Sequence, residues 1–100
     1  MYQIKQTSQF STWLNAIKDP MTKFRLARRI EKAAKGNLGD VKPVGKGVYE
    51  MREFFGKGWR MYYTQRGDTL IIMLGGGNKS TQQKDIKAAQ QLAQQIEEIL

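Results

Sequence analysis

A change of period constrains this chain more than any other feature. Over residues 48–54, 59–65 and 69–74 apolar and polar side chains follow a repeat of two, and the runs are separated only by Phe55-Gly56-Lys57-Gly58 and Arg66-Gly67-Asp68. A repeat of two is that of a β-strand, and turns this short join antiparallel neighbours. An antiparallel three-stranded meander is therefore predicted. Its last run, Leu70-Ile71-Ile72-Met73-Leu74, is apolar at every position, which predicts burial on both faces and a central place in the sheet.

Outside this stretch the period is helical. Residues 2–6 predict a short opening strand, after which Thr7 or Ser8 can cap a helix whose Phe10, Trp13, Leu14 and Ile17 share one side. Asp19-Pro20 ends it and starts a second, with Asp19 as N-cap and Pro20 at the first helical position. In that second helix Phe24, Ala27, Ile30 or Glu31, and Ala34 trace the expected inner side. Arg25, Arg28, Arg29, Lys32 and Lys35 form a basic stripe, and Gly36-Asn37 is the expected stop. Residues 37–47, glycine-rich and containing Pro43, are expected to be a linker. After the meander, Gly75-Gly76-Gly77-Asn78-Lys79 is expected to be a flexible turn. Ser80 and Gln83 would then form a capping box for a closing helix along Ile86, Ala89, Leu92 or Ala93, Ile96 and Leu100. The expected whole is a single α+β domain over residues 1–100, ordered β-α-α-β-β-β-α, with helices packed on a curved, mostly antiparallel sheet.

The strand period also places polar groups. Tyr49, Met51 and Glu53 point one way and Val48, Glu50 and Arg52 the other; Trp59, Met61 and Tyr63 oppose Arg60, Tyr62 and Thr64. Joining the apolar sets on the core side pairs Met51 with Met61, and so sets Arg52 across from Arg60 and Glu50 across from Tyr62. That register needs an odd-length loop, met by three residues with Gly58 at the bulge position. Two guanidinium groups opposite each other repel unless an anion lies between them, so either a phosphate or the neighbouring Glu50 is expected there. Lys79 follows in a glycine-rich turn that opens a helix, a setting that favours anions. The segment does not match a nucleotide-binding P-loop, which requires glycine where Met73 and Asn78 stand.

Composition narrows the classes of function. Seventeen Lys and Arg against nine Asp and Glu give a net charge of +8, which attracts polyanions, nucleic acid above all, or an acidic protein partner. The absence of cysteine excludes disulfides, thiolate metal sites and a cysteine nucleophile. Neither an export signal nor a membrane-length apolar run is read from the sequence, so a cytoplasmic protein is expected.

Three strings carry a resemblance: Lys42-Pro43-Val44-Gly45-Lys46-Gly47-Val48-Tyr49-Glu50-Met51-Arg52, then Gly58-Trp59-Arg60-Met61-Tyr62-Tyr63, then Gly75-Gly76-Gly77-Asn78-Lys79-Ser80-Thr81-Gln82 followed by Asp85-Ile86 and Ala88-Ala89. In this order they resemble the RelE/ParE toxins of type II toxin–antitoxin systems, in the HigB-like "addiction module killer" branch, over nearly the whole chain. The resemblance implies a ribosome-dependent messenger RNA endoribonuclease, neutralised by a cognate antitoxin, often a helix-turn-helix protein. It implies Arg52 and Arg60 on the scissile phosphate and Lys79 beside them. Of Lys46 and Lys57, at opposite ends of the first meander strand, at most one is expected to join. Some relatives use a catalytic histidine and others a tyrosine near the C-terminus; this chain has no histidine and no aromatic residue beyond Tyr63.

Without metal-ligand clusters or a cofactor motif, the expected reaction is attack by the RNA's own 2′-hydroxyl on the adjacent phosphate. Arg52 and Arg60 would brace the phosphate, Lys79 would move the proton, and Tyr62 is the alternative acid or hydrogen-bond donor. Arg25, Arg28, Arg29 and Lys32 of the basic stripe would dock ribosomal RNA phosphates without reading sequence, and Lys46 or Lys57 would add an RNA contact, although a solvated helix face or the footprint of an acidic antitoxin accounts for the stripe equally well. Two alternatives use the same composition: a non-catalytic ParE-like inhibitor of DNA gyrase, and a plain nucleic-acid-binding module.

Overall fold

The computed structural model describes the backbone of residues 1–99 and the side chains of residues 1–97. In chain order the elements are β1 (Gln3–Gln6), α1 (Ser8–Ala16), α2 (Pro20–Ala34), β2 (Val41–Gly45), β3 (Val48–Arg52), β4 (Arg60–Arg66), β5 (Leu70–Gly77), one 3-10 turn (Lys79–Thr81) and α3 (Gln82–Ile99). The five strands form one sheet in the order β1-β5-β4-β3-β2, with β1 parallel to β5 and every other pair antiparallel. Among the described residues no helix is long and apolar enough to cross a membrane.

The sheet is buried on both faces. On one, Phe10, Leu26, Ile30 and Ala33 of α1 and α2 pack on Met51, Met61, Tyr63, Ile71 and Met73. On the other, Ala89 and Ala93 of α3 pack on Val48, Tyr62, Ile72 and Leu74, with Ile86, Leu92 and Ile96 partly buried beside them. The uniformly apolar β5 is interior as expected, because Ile71 and Met73 serve one core while Ile72 and Leu74 serve the other. A bulge at Leu74, between the pairs Tyr63–Met73 and Tyr62–Gly75, bends the strand. Helix starts follow local chemistry. Thr7 Oγ1 accepts from the Phe10 N–H at 3.1 Å, and Asp19 Oδ2 accepts from the Thr22 N–H at 3.2 Å ahead of Pro20. Leu100 lies outside the described residues.

Four expectations are corrected. The linker contains strand β2, an edge strand in which Pro43 is tolerated because a neighbour occupies only one side. Its two valines serve different cores, Val41 the α1/α2 side and Val44 the α3 side, so no alternation marks it. The second helix turns Thr22, Leu26, Arg29, Ile30 and Ala33 inward, and leaves Phe24 58% exposed. The cap before the last helix is Asn78, whose Oδ1 accepts from the Ser80 N–H at 2.9 Å, with α3 starting at Gln82.

The fourth correction concerns the triple glycine, which is extended strand paired with Arg60, Met61 and Tyr62 and not a left-handed turn. Space explains two of the three. A Cβ at Gly76 would lie 2.5 Å from the Trp13 ring, and one at Gly77 would collide with the Asp85 carboxylate. Gly76→Ala is therefore expected to destabilise the protein by about 1–3 kcal/mol through overpacking. A urea midpoint equal to that of the parent would mean Trp13 moves aside freely.

Candidate functional site

The β3–β4 hairpin sets the site. Its register is Tyr49–Tyr63, Glu50–Tyr62, Met51–Met61 and Arg52–Arg60, as the burial pattern requires. The last backbone bond runs from the Glu53 N–H to the Trp59 carbonyl at 2.9 Å, so the connecting loop has residues 54–58 instead of three. Within it the Gly58 N–H returns to the Phe55 carbonyl, and Gly56 and Gly58 take positive φ angles of 54° and 74°. The loop is odd in length, which keeps the two arginines opposite.

Each arginine has its own carboxylate. Arg52 Nη2 lies 3.2 Å from Asp40 Oδ1, and its guanidinium sits 5.5 Å from the centre of the Phe54 ring. Arg60 Nε lies 3.6 Å from Glu50 Oε2, while Arg60 Nη1 donates to the Gly58 carbonyl at 2.8 Å. Apart from these contacts their N–H donors are uncommitted among the described residues, and neither Nε makes a hydrogen bond. Glu50 is completely buried. Its Oε2 accepts from the Tyr62 hydroxyl at 3.1 Å and from Gln82 Nε2 at 2.9 Å, and Oε1 has no partner among the described residues. Gln82 thus ties the first residue of α3 to the carboxylate that holds Arg60. The alternation of Glu50 with Arg52 is visible in the sequence, but nothing there marks Gln82 or Asp40 as their partners.

Lys79 and the hairpin loop come to the same place. The Lys79 N–H donates to the Lys57 carbonyl at 3.3 Å, and a Cβ on Gly58 would lie 3.3 Å from both Arg60 Nη1 and Lys79 Cβ. Glycine at 58 lets the loop, Arg60 and Lys79 pack this closely. Of the two loop lysines, Lys57 is the one beside Lys79. Lys46 lies at the other end of β3, at a positive φ of 56° between two glycines and near Gln90, Gln94 and Glu97 of α3, so it leaves the site.

Two further assignments change. Tyr62 has no exposed surface and its hydroxyl is committed to Glu50; burial foremost, then the negative charge of Glu50, pushes its pKa far above the usual tyrosine value. It fixes Glu50 from within the sheet and has no surface open to solvent. Arg29 is 8% exposed, and its guanidinium donates to the carbonyls of Leu38, Asp40 and Arg52 and meets Glu53 at 3.1 Å. It leaves the basic stripe, which is reduced to Arg25, Arg28, Lys32 and Lys35, all exposed. Trp13 and Trp59 pack against the α1/α2 core with ring centres 6.3 Å apart, as their phase predicts, whereas Phe54 is 76% exposed.

Arg52 and Arg60 therefore stand opposite each other at one end of the sheet with Lys79 next to Arg60, a setting suited to holding a phosphate, whereas Lys57 meets Lys79 only through its carbonyl and lines a groove with Lys18, Asp19 and Trp59. Residues 13–97 match the model of a family described as "Phage derived protein Gp49-like (DUF891)". A protein of Haemophilus influenzae (strain Rd), described as uncharacterized, is 44% identical over 94 residues, 94% of this chain and 95% of the relative.

Proposed function

The chain belongs to the phage-derived Gp49-like family, a family of RelE-like toxins, and from that premise we propose that it is the toxin of a type II toxin–antitoxin pair, of the HigB-like branch, acting as a ribosome-dependent messenger RNA endoribonuclease. The observation that carries the reading is the convergence of Arg60 and Lys79 at Gly58, with Arg52 directly across the hairpin. In the reaction the RNA 2′-oxygen attacks the neighbouring phosphorus, the bond from phosphorus to the 5′-oxygen breaks, and a 2′,3′-cyclic phosphate and a 5′-hydroxyl result. Arg52 and Arg60 direct N–H donors at the phosphate oxygens as negative charge builds, and need not titrate to do so. Lys79, exposed beside Arg60, is the group that exchanges a proton with the attacking or leaving oxygen. The ribosome presents the message in a reactive geometry, which supplies much of the acceleration for a site without histidine. A cognate antitoxin, expected to be of helix-turn-helix type, neutralises the protein.

Induced expression in bacteria tests this directly. Translation is expected to stop within minutes, with messages cut at discrete positions and 2′,3′-cyclic phosphate ends. Growth arrest with intact messages and a DNA damage response would replace the nuclease by gyrase inhibition, and unimpaired growth would remove the toxin reading.

A further inference from the structure

We propose that the groove between α2 and the β3–β4 loop is a binding site for single-stranded RNA, with unpaired bases stacked on Phe54 and Phe24 and phosphates held by Arg25, Arg28 and Lys32. Resting on the ribonuclease reading, its occupant is the stretch of message next to the bond that is cut. The groove encloses about 610 Å³ and is walled by α2 on one side and by residues 53–55 on the other. Two of its phenylalanines lie open to solvent, Phe54 at 76% and Phe24 at 58% exposed. Flat apolar rings held out into water are costly unless something stacks on them.

The charge around these rings selects the partner. Arg25, Arg28 and Lys32 are exposed and form no ion pair among the described residues. The one acidic side chain lining the groove, Glu53, is neutralised by Arg29 at 3.1 Å. What remains is aromatic faces interleaved with free cations, which is the composition of a single-strand track: rings take the bases and cations follow the backbone. The Arg25 guanidinium already lies 4.5 Å from the centre of the Phe55 ring, so cation and ring form one platform. Duplex RNA would not use these rings, because its bases are stacked on one another within the helix.

Continuity joins the groove to the candidate phosphate site. The Arg52 guanidinium lies over the Phe54 ring at 5.5 Å, and the next residue, Glu53, is held by Arg29 from the floor of the groove. A strand whose phosphate rests on Arg52 and Arg60 therefore meets Phe54 with an adjacent base and continues along α2.

The test uses the whole chain and a labelled oligouridylate of about ten nucleotides, a length matched to single-strand sites, with every 2′-hydroxyl methylated so that it cannot be cut. By fluorescence anisotropy, Phe54→Ala and Phe24→Ala are each expected to weaken binding by about fivefold to a hundredfold, the loss of one stacked base. Phe54→Trp should retain affinity, and an abasic oligomer of equal length should not distinguish the alanine variants from the parent. Because both rings are exposed, the alanine variants should keep the parent's circular dichroism spectrum. Equal binding of the oligomer by parent and both variants, no binding by the parent, or equal losses with the abasic strand would each overturn the site. So would variants that keep RNA affinity but lose binding of a glutamate-rich helical peptide, which would assign the groove to a protein partner. Since the oligomer is uncleavable, Phe54-dependent binding by a protein that cuts no message would retire the nuclease and leave the groove, and cleavage with no role for Phe54 and Phe24 would do the reverse.

Discussion

Arg60→Ala is expected to lower ribosome-dependent message cleavage by about 10²–10³-fold, the usual cost of removing a donor aimed at charge that develops in the transition state. The same substitution has a second effect, and the two must be separated. Arg60 is the only cation paired with Glu50 among the described residues, and Glu50 is completely buried with one oxygen already unpartnered. Removing the guanidinium strands that carboxylate and is expected to cost about 3 kcal/mol of stability, at the lower end for broken buried pairs because the contact is long. The double variant Arg60→Ala with Glu50→Gln removes both charges. Its urea midpoint should return most of the way to the parent's, because Gln can still accept from Tyr62, while its cleavage should stay as low as that of Arg60→Ala. Arg60→Lys keeps the charge but not the planar donor pair, and should recover stability better than activity. Cleavage restored in the double variant would show that Arg60 acts only by holding the fold, and the phosphate site would have to be sought elsewhere.

The hairpin that carries this prediction was legible because both of its faces are buried. A one-residue slip between β3 and β4 would send Met51 or Met61 into the wrong layer, so the pattern excludes it, and the pairing of Met51 with Met61 across a short odd-length loop then sets Arg52 opposite Arg60. Burial on two faces likewise marks β5 as interior, and local capping chemistry marks Asp19-Pro20 as a helix start. Local pattern fails where the deciding contact is remote in sequence. Gly76 is glycine because Trp13 of α1 packs on it, and Gly77 because Asp85 of α3 does; local context offers only a loop. Strand β2 was hidden because an edge strand with a bulge and a proline divides Val41 and Val44 between two cores. The site divides in the same way. The arginines and the Glu50 counter-charge come from strand alternation and Lys79 from its turn, but Asp40, which holds Arg52, and Gln82, which backs Glu50, are brought in only by tertiary packing.

Arg29 is the clearest case of that limit, and its replacement should produce the largest loss of stability. Arg28 and Arg29 are chemically identical neighbours on a helix whose period permits either to face inward. What turns Arg29 inward is a set of acceptors from another segment. Its Nε and Nη2 reach the Leu38 carbonyl at 3.1 and 3.0 Å, Nη2 reaches the Asp40 carbonyl at 2.8 Å, Nη1 reaches the Arg52 carbonyl at 2.9 Å, and Glu53 balances the charge. A single guanidinium thus joins α2 to the segment before β2 and to the end of β3. Arg29→Ala removes the side-chain donor of the Leu38 and Arg52 carbonyls and the cation of Glu53, leaves the Asp40 carbonyl with only the Arg52 N–H, and is expected to lower the unfolding free energy by about 3–5 kcal/mol. Arg29→Lys restores the charge, but a single ammonium lacks the planar fork that reaches all of these acceptors, so it should recover only part of the loss. Arg29 also holds the backbone on both sides of the Arg52–Asp40 pair, binding the carbonyl of each. The lysine variant, folded in the absence of denaturant, should therefore cut message more slowly than the parent, while Arg28→Lys on the exposed side matches the parent in stability. A urea midpoint for Arg29→Ala indistinguishable from that of Arg28→Ala would mean the buried guanidinium contributes no more than a surface one, and the link from α2 to the arginine pair would fail with it.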